Sequence, residues 1–460
     1  MNQKTFHLTY LGCAKNDVDS ASMAQLLERD GYKAVSASQQ ASILIVNTCG
    51  FIGSAREESY SVLRAMAEEK RPDQILIAAG CLTQRYGAEV ARQVTGVDGI
   101  LGTRRWMDIV EVVRHLRKEA RSSKGLLPTQ PGSSGLRPEP LYHLPEAPTI
   151  GTGENSVLCA SIAGASAYLK IADGCRRPCA FCAIPLIKGT TISRPLEKIL
   201  EEARMLRDFG VREIVLIAQD TTDYGHDLGM QDGLATLLEQ LTTTIPDVDW
   251  IRIMYAFPGY VTDRLISVIA SHPQILPYLD IPLQHAAPAI LTRMRRPANM
   301  DWVRTTIAKM RFTLPKLAIR TTFIVGYPGE TNKEFQTLLD FIEEMRFDRV
   351  GAFQFSFETG TTSEVLGDPV PAAVKERRYQ RLMELQQPIS LQVNQAYVGQ
   401  RLDVLIEGQQ DNGIAIGRSY RDAPEIDGMV IVEGKAEIGN IIPVIITGAM
   451  EYDLTGIPAE

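Results

Sequence analysis

Three cysteines stand within eight residues, Cys175, Cys179 and Cys182, in the stretch DGCRRPCAFCAIP (173–185). Thiolates are soft ligands, and this density suits zinc or an iron–sulfur cluster. A closed structural zinc site takes four protein ligands. The run supplies three, with no fourth Cys or His beside it. Two readings stand on these residues: zinc completed from elsewhere, or a 4Fe–4S cluster with one iron left open. The missing ligand favours the open cluster, because a substrate can then bind the metal. The run follows the strand candidate AYLKIA (167–172) directly, and barrel chemistry gathers at the carboxyl ends of strands.

Three more cysteines are widely spaced. Cys13, Cys49 and Cys81 each fall just past a strand candidate, in TYLGC, IVNTC and IAAGC. They are 36 and 32 residues apart, about one βα unit each. In a parallel sheet all three reach the carboxyl edge, where ligands bind. Gly12 and Gly80 precede two of them and Gly50 follows the third. A residue without Cβ lets backbone approach a bulky group. Three ligands again imply a cluster with an open iron. Cys159 fits neither set and reads as structural. Seven cysteines, an odd number in a chain with no export signal, argue against a disulfide framework.

The elements that must carry these residues alternate. FHLTYLG (6–12), ASILIVNT (41–48) and QILIAAG (74–80) are strand candidates whose apolar runs suit a parallel sheet buried on both faces. Helices are expected after the first two. Asp17 is the expected N-cap of one, with Gly31 past its end, and Ser54 with Glu57 has capping-box spacing in the other. Residues 121–156 break the pattern: Pro, Gly and Ser make up 16 of 36 residues, which predicts a linker or surface insertion. GTGENS (151–156) lacks the third glycine of a dinucleotide fingerprint, and no P-loop pattern occurs.

From 167 to 357 the alternation resumes through six strand candidates: 167–172, 213–219, 249–255, 278–283, 317–326 and 349–357. Six βα units predict a partial or closed parallel barrel. A long helix over about 371–397 leads out. Residues 398–457 carry short alternating apolar runs between Gly, Asn and Asp, the signature of a small all-β barrel. The expected division is 1–120, a linker 121–160, 161–397 and 398–457.

Composition bounds the rest. The chain has 460 residues, is 45% apolar and 22% charged, and carries a net charge of −7. That balance offers no general attraction to nucleic acid. No run of about 18 apolar residues appears, and the N-terminus lacks the layout of a signal peptide. A cytoplasmic protein without a membrane partner is expected.

With an aromatic, Phe181, just before the last cysteine, Cys-x3-Cys-x2-Cys resembles the signature of radical S-adenosylmethionine enzymes. Both cysteine sets together resemble the methylthiotransferase family over nearly the whole chain. The motifs are LGCAKNDVDS, VNTCGFI, GCRRPCAFCAIPLIKG, PLQHAAPAILTRMRRP and IVGYPGET. One departure is Ala14, where Pro is common in these enzymes. The resemblance implies an N-terminal α/β cluster domain, a radical S-adenosylmethionine (β/α)6 partial barrel and a C-terminal TRAM barrel. It implies two 4Fe–4S clusters and S-adenosylmethionine. The cluster on Cys175, Cys179 and Cys182 would bind and split the cosubstrate, and the resulting radical would abstract hydrogen from the substrate. The cluster on Cys13, Cys49 and Cys81 would carry the sulfur. Gln219 and Asp220 close the second strand, where the family binds the cosubstrate's amino end; Gln284 and His285 close the fourth, and Gly326 and Gly329, ending the fifth, would admit the adenosyl group. Turn chemistry for the glycines and a satisfied polar contact for His285 are the competing readings. An external electron donor such as a flavodoxin or ferredoxin, and a monomer, are also expected.

The family divides by substrate, into transfer RNA adenosine and an aspartate of ribosomal protein S-twelve. Residues 398–457 hold four Arg/Lys (Arg401, Arg418, Arg421, Lys435) against ten Asp/Glu. A net −6 opposes phosphate binding and suits a basic protein. Tyr420 and Tyr452 are the only aromatics there for stacking bases. The segment GRSYRDAPEIDG (417–428) resembles the ribosomal-protein branch, whose product is a β-methylthioaspartate. The alternatives are the transfer RNA enzyme and, more remotely, a non-enzymatic iron–sulfur protein that binds ribosomes.

Overall fold

The fully buried runs ILIVNT (Ile43–Thr48) and ILIAAG (Ile75–Gly80) are central strands of a parallel sheet, as their unbroken apolar character requires. The computed structural model describes residues 4–123, 139–150, 157–411 and 413–459. These form two compact units. One contains residues up to 161 with 172–176 and 182–192. The other contains 162–171, 177–181 and everything from 193 onward.

In the first unit the sheet runs in the order Lys33–Ala34, Thr5–Tyr10, Ile43–Thr48, Ile75–Gly80, Gly99–Gly102, Leu141–His143, with every pair parallel. Helices Ala14–Arg29, Gly53–Glu69, Cys81–Gln93 and Ile109–Ser123 connect the strands. Leu44, Val46, Leu76, Ala78 and Ile100 pack with Tyr60, Leu63 and Val90 as one core.

Three expectations are corrected here. Cys13, not Asp17, is the N-cap of Ala14–Arg29, and Asp17 lies in its first turn; Gly31 does follow the helix end. Gly53–Glu69 is capped by Ile52 without a side-chain bond, so Ser54 and Glu57 form no capping box. Leu141–His143 lies inside the expected linker yet adds a strand beside Gly99–Gly102. GTGENS (151–156) lies outside the described residues.

In the second unit six strands follow chain order: Ser166–Lys170, Glu213–Ile217, Trp250–Ile253, Ile275–Asp280, Ala318–Val325 and Arg349–Gln354, each parallel to the next. Ala160–Ala163 extends the Ser166 edge, so the sheet is an open, partial barrel. Helix Ala372–Gln395 leads to a closed five-stranded barrel built from Arg401–Gln409, Ile414–Ser419, Val430–Glu433, Ile441–Ala449 and Leu454–Pro458. Inward Leu402, Val404, Ile406, Ala415, Val430, Val432, Val444, Ile446 and Leu454 fill it, one side of each alternating strand.

Apart from exposed Glu425 and Ile426, the segment 417–428 is buried or half-buried against the starts of the parallel strands. Arg418 pairs with Glu213 at 2.6 Å, and Arg252 pairs with the same carboxylate at 2.7 Å. Arg349 pairs with Asp422 at 2.7 Å and Arg421 with Asp348 at 3.2 Å. Tyr278 donates to Asp427 at 2.6 Å. Buried charges are tolerated when paired in this way.

Candidate iron–sulfur and cosubstrate site

Each dispersed cysteine sits at a strand-to-helix junction. Cys13 caps Ala14–Arg29, Cys49 follows Thr48, and Cys81 opens Cys81–Gln93 after Gly80. Helix N-termini favour thiolate. Glycine brings the three loops together. A Cβ on Gly12 would lie 2.9 Å from Cys49 Cβ, and one on Gly50 would lie 2.6 Å from Leu82 Cα. One on Gly80 would lie 2.3 Å from Asn47 Oδ1, and its φ of +104° also requires glycine.

Two asparagines latch these loops. Asn16 Nδ2 donates to the carbonyls of Leu11 (2.9 Å) and Thr48 (3.1 Å), and its Oδ1 is 3.7 Å from Cys81 Sγ. Asn47 Nδ2 donates to Asn16 O and Ser20 Oγ. Sequence reasoning missed both, although Asn16 and Asn47 lie within the quoted motifs.

Exposure grades from Cys13, open, through Cys49 to buried Cys81. Burial pushes the Cys81 thiol up to about 12 and raises that of Cys49. Both are thiols until a metal displaces the proton. No disulfide joins any of the seven cysteines.

In the compact run, Gly174 has φ +77° and its missing Cβ would meet Thr190 O at 2.0 Å. Cys175 N–H donates to Gly189 O at 3.0 Å. Within the same unit, Ala183 and Ile187 pack on Cys81, so the segment after Cys182 lies against the dispersed set. Cys179 belongs to the second unit, where Arg296 Nη1 lies 3.6 Å from its Sγ. The Arg296 guanidinium stacks 4.0 Å over Phe257, and its buried Nε has no hydrogen-bond partner. Arg177 stacks 3.6 Å over Tyr260 and pairs with Asp220 and Asp223. A cation with an unspent donor beside Cys179 fits a thiolate-ligated, negatively charged cluster. Among the described residues no three His, Cys, Asp or Glu side chains gather tightly enough for a single ion. An all-thiol donor set suits an iron–sulfur cluster.

The remaining predicted residues divide by environment. Phe181 packs with Ala287, Ile290, Met294, Tyr327 and Phe355. Gln219 and Asp220 follow Glu213–Ile217, and Asp220 caps the turn Thr221–Asp223 while holding Arg177. Gln284 has φ +74° and is held by backbone bonds to Thr322 and Ile324, both 2.8 Å. A left-handed non-glycine costs about 1–3 kcal/mol and marks functional sites.

His285 is fully buried. Its Nδ1 accepts from Ala287 N–H at 2.9 Å, which assigns the proton to Nε2, and Nε2–H donates to Glu330 at 3.2 Å. Glu330 also pairs with Arg378 at 2.6 Å. This is the satisfied polar contact, inside a network. Gly326 (φ +74°) and Gly329 (φ +89°) have their Cβ positions taken by Lys375 and Arg293 side chains, a steric reason within the chain itself. Cys159 is fully buried.

Comparison with known proteins adds an independent line. Residues 5–102 match the uncharacterized protein family UPF0004, 169–342 the radical SAM superfamily, and 398–458 the TRAM domain. The chain is 47% identical to the "Ribosomal protein uS12 methylthiotransferase RimO" of Roseiflexus sp. (strain RS-1) over 99% of this chain and 97% of that one. It is 48% identical to the protein of that name from Chloroflexus aurantiacus, covering 98% and 99%. Among solved structures it is similar to the radical S-adenosylmethionine methyltransferase TsrM of Kitasatospora setae with tryptophan and a SAM analog bound. The TM-score is 0.54 at 11% identity, covering 89% of this chain and 79% of that one; at that identity the likeness is one of fold. With three domain matches in this order and near-full-length identity to these proteins, the chain belongs to the RimO family of radical SAM methylthiotransferases.

Proposed function

We propose that this enzyme methylthiolates the β-carbon of an aspartate on ribosomal protein uS12. Cys175, Cys179 and Cys182 would hold a cluster that binds S-adenosylmethionine, and Cys13, Cys49 and Cys81 a second, sulfur-carrying cluster. The observation that carries this reading is the identity, over nearly the full length, to named uS12 methylthiotransferases, supported by the three neighbouring strand ends that carry Cys13, Cys49 and Cys81. When bound, these groups supply hydrogen abstraction from an unactivated carbon and the methylthio sulfur that replaces it. The chain's own part is to bind, orient and shield. The glycines at 12, 50 and 80 bring three thiols to one edge, Asn16 and Asn47 fix their loops, and Arg296 lends positive charge at Cys179. Gln284, held in a left-handed conformation at a strand end, is the strongest candidate to touch the cosubstrate.

The terminal barrel supports a basic protein substrate over transfer RNA. Arg418 and Arg421 are buried in ion pairs. That leaves Arg401 and Lys435 as its exposed cations against exposed Asp403, Asp411, Glu425, Glu433, Glu437 and Glu451. The surface is thus poor in the cations that phosphates need and complementary to a basic partner. Residues 1–120, 161–397 and 398–457 would act as cluster, cosubstrate and substrate regions. An external one-electron donor is required. Among the described residues no helix is long and apolar enough to cross a membrane.

The test is a mass comparison. The protein is loaded with iron and sulfide without oxygen, reduced, and given S-adenosylmethionine. It is then offered a peptide from the uS12 target loop or bulk transfer RNA. A methylthio gain on the peptide aspartate is expected. A gain on adenosine instead would sink the protein-substrate reading.

A further inference from the structure

Lys188 is a buried ammonium to which the site described above assigns no part. It ends the short helix Ile184–Lys188 that follows Cys182. Its Nζ lies 3.1 Å from Asp19 and 3.0 Å from Asp173, and the three side chains are 2%, 2% and 8% exposed. All three residues belong to the first unit.

The partners are placed with purpose. Asp19 projects from Ala14–Arg29, the helix that begins at Cys13. Asp173 stands two residues before Cys175, and its Oδ1 also accepts from Gly174 N–H at 3.1 Å. One ammonium therefore ties the helix of the dispersed set to both arms of the compact run. The same short helix is gripped from its other side: Arg104 donates to Ile187 O at 2.8 Å and Leu186 O at 3.0 Å. Between these ties, Ala183 and Ile187 rest on Cys81.

Apolar packing alone would hold these elements together. A buried triad with two carboxylates and one ammonium is a costly way to do so. What it adds is register, because ion pairs and hydrogen bonds are directional where hydrophobic contact is not. We propose that Lys188 is a positioning residue that fixes Cys175 and Cys182, the first-unit ends of the compact run, relative to Cys13 and Cys81, and so sets the separation of the two clusters. This rests on the two-cluster reading above.

The experiment compares wild type with Lys188→Met and Lys188→Arg, each loaded anaerobically. Iron and sulfide content and thermal melting establish that both clusters load in a folded chain. Two readouts then separate positioning from general damage. The first is the electron paramagnetic spin–spin interaction between the reduced clusters, which needs no substrate. The second is methylthio product formed per cosubstrate cleaved.

Lys188→Met is expected to load both clusters, to alter the spin–spin interaction, and to lower product per cleavage about 10- to 100-fold, the scale of an ångström-sized misplacement. Lys188→Arg is expected to restore most of both. An unchanged interaction and ratio in a folded, loaded Lys188→Met overturns the proposal, as does an arginine variant no better than methionine. Cleavage and transfer that fall in equal proportion also overturn it. Should Lys188→Met fail to fold, Asp19→Asn removes one arm and leaves the Asp173 pair. It is then expected to give a smaller shift in both readouts, and no shift overturns the idea. A wild type that shows the coupling yet modifies neither peptide nor RNA would count against the substrate reading and leave Lys188 standing.

Discussion

The two cysteine sets gather three thiols in opposite ways. Cys175, Cys179 and Cys182 share one loop, whereas Cys13, Cys49 and Cys81 span 68 positions and follow three different strands. A compact run needs only a local turn. The dispersed set needs sheet register: Tyr10 pairs with Asn47 and Thr48 with Gly80, which levels Cys49 with Cys81 and places Cys13 beside them. A local site survives damage elsewhere in the sheet. A distributed one is only as good as the packing of three βα units, and its glycines and asparagines show where that packing is tightest.

The largest separation of the two is expected from single cysteine changes. Cys175→Ala should abolish reductive cleavage of S-adenosylmethionine while the dispersed set still binds iron. Retained formation of 5′-deoxyadenosine would sink the assignment of the compact run. Cys49→Ala should leave cleavage partly intact and stop sulfur transfer. If product still formed, Cys13, Cys49 and Cys81 would not be the sulfur-carrying set.

The next effect is on stability, and it should touch the barrel and spare the dispersed cysteines. Burial alone would raise the Glu213 carboxyl, but Arg252 and Arg418 outweigh it and hold it at about 2, against a usual 4.5. A depressed carboxyl contributes stability that is present above its ordinary value and is lost as pH falls through the folded value. The window is therefore about pH 4.5 down to 2, and the contribution is about 3 kcal/mol. Glu213→Gln leaves buried Arg252 without its carboxylate and Arg418 with only Glu407, and should cost about 3–5 kcal/mol near neutral pH. Its unfolding free energy should fall less steeply with acid than that of the wild type. Parallel curves in the two proteins would show that the Glu213 pairs do not carry this acid dependence.

Much of this architecture was legible in the chain. Apolar runs such as ILIVNT marked the strands because a strand buried on both faces leaves no room for polar residues. The cysteines after those runs marked the site because strand ends and helix starts coincide there. The caps misled for a related reason. Asp17 and Ser54 have the chemistry of N-caps, but each helix begins earlier, right behind the loop that presents a cysteine, with Cys13 and Ile52 at the cap. Leu141–His143 was hidden because three residues inside a Pro/Gly/Ser-rich stretch carry no period, and their pairing with Gly99–Gly102 is long-range. Partners far apart in sequence were equally out of reach: Arg418 and Glu213 are 205 residues apart, and the role of segment 417–428 as a buried seam follows only from the fold. Gly326 and Gly329 could be read in the chain either as openings for a ligand or as turn glycines, and their φ of +74° and +89° supply the turn reason.

The smallest predicted effect tests the dispersed set without removing a ligand. Ala14 is the first helical residue after Cys13. The N–H at that position has no acceptor within its own helix, and proline's fixed φ suits it. Ala14→Pro should therefore lose no helical bond and should narrow the unfolded ensemble. The expected gain is about 0.4–1 kcal/mol, or about 1–4 °C in melting temperature for a unit of this size. Iron loading at the compact run should not change. A loss of more than about 1 kcal/mol would mean that the chain at Cys13 turns differently from a helix start, and the convergence of the three loops would need another explanation. A gain would show that the distributed site is improved by stiffening the chain beside a ligand, which a site held within one loop does not need.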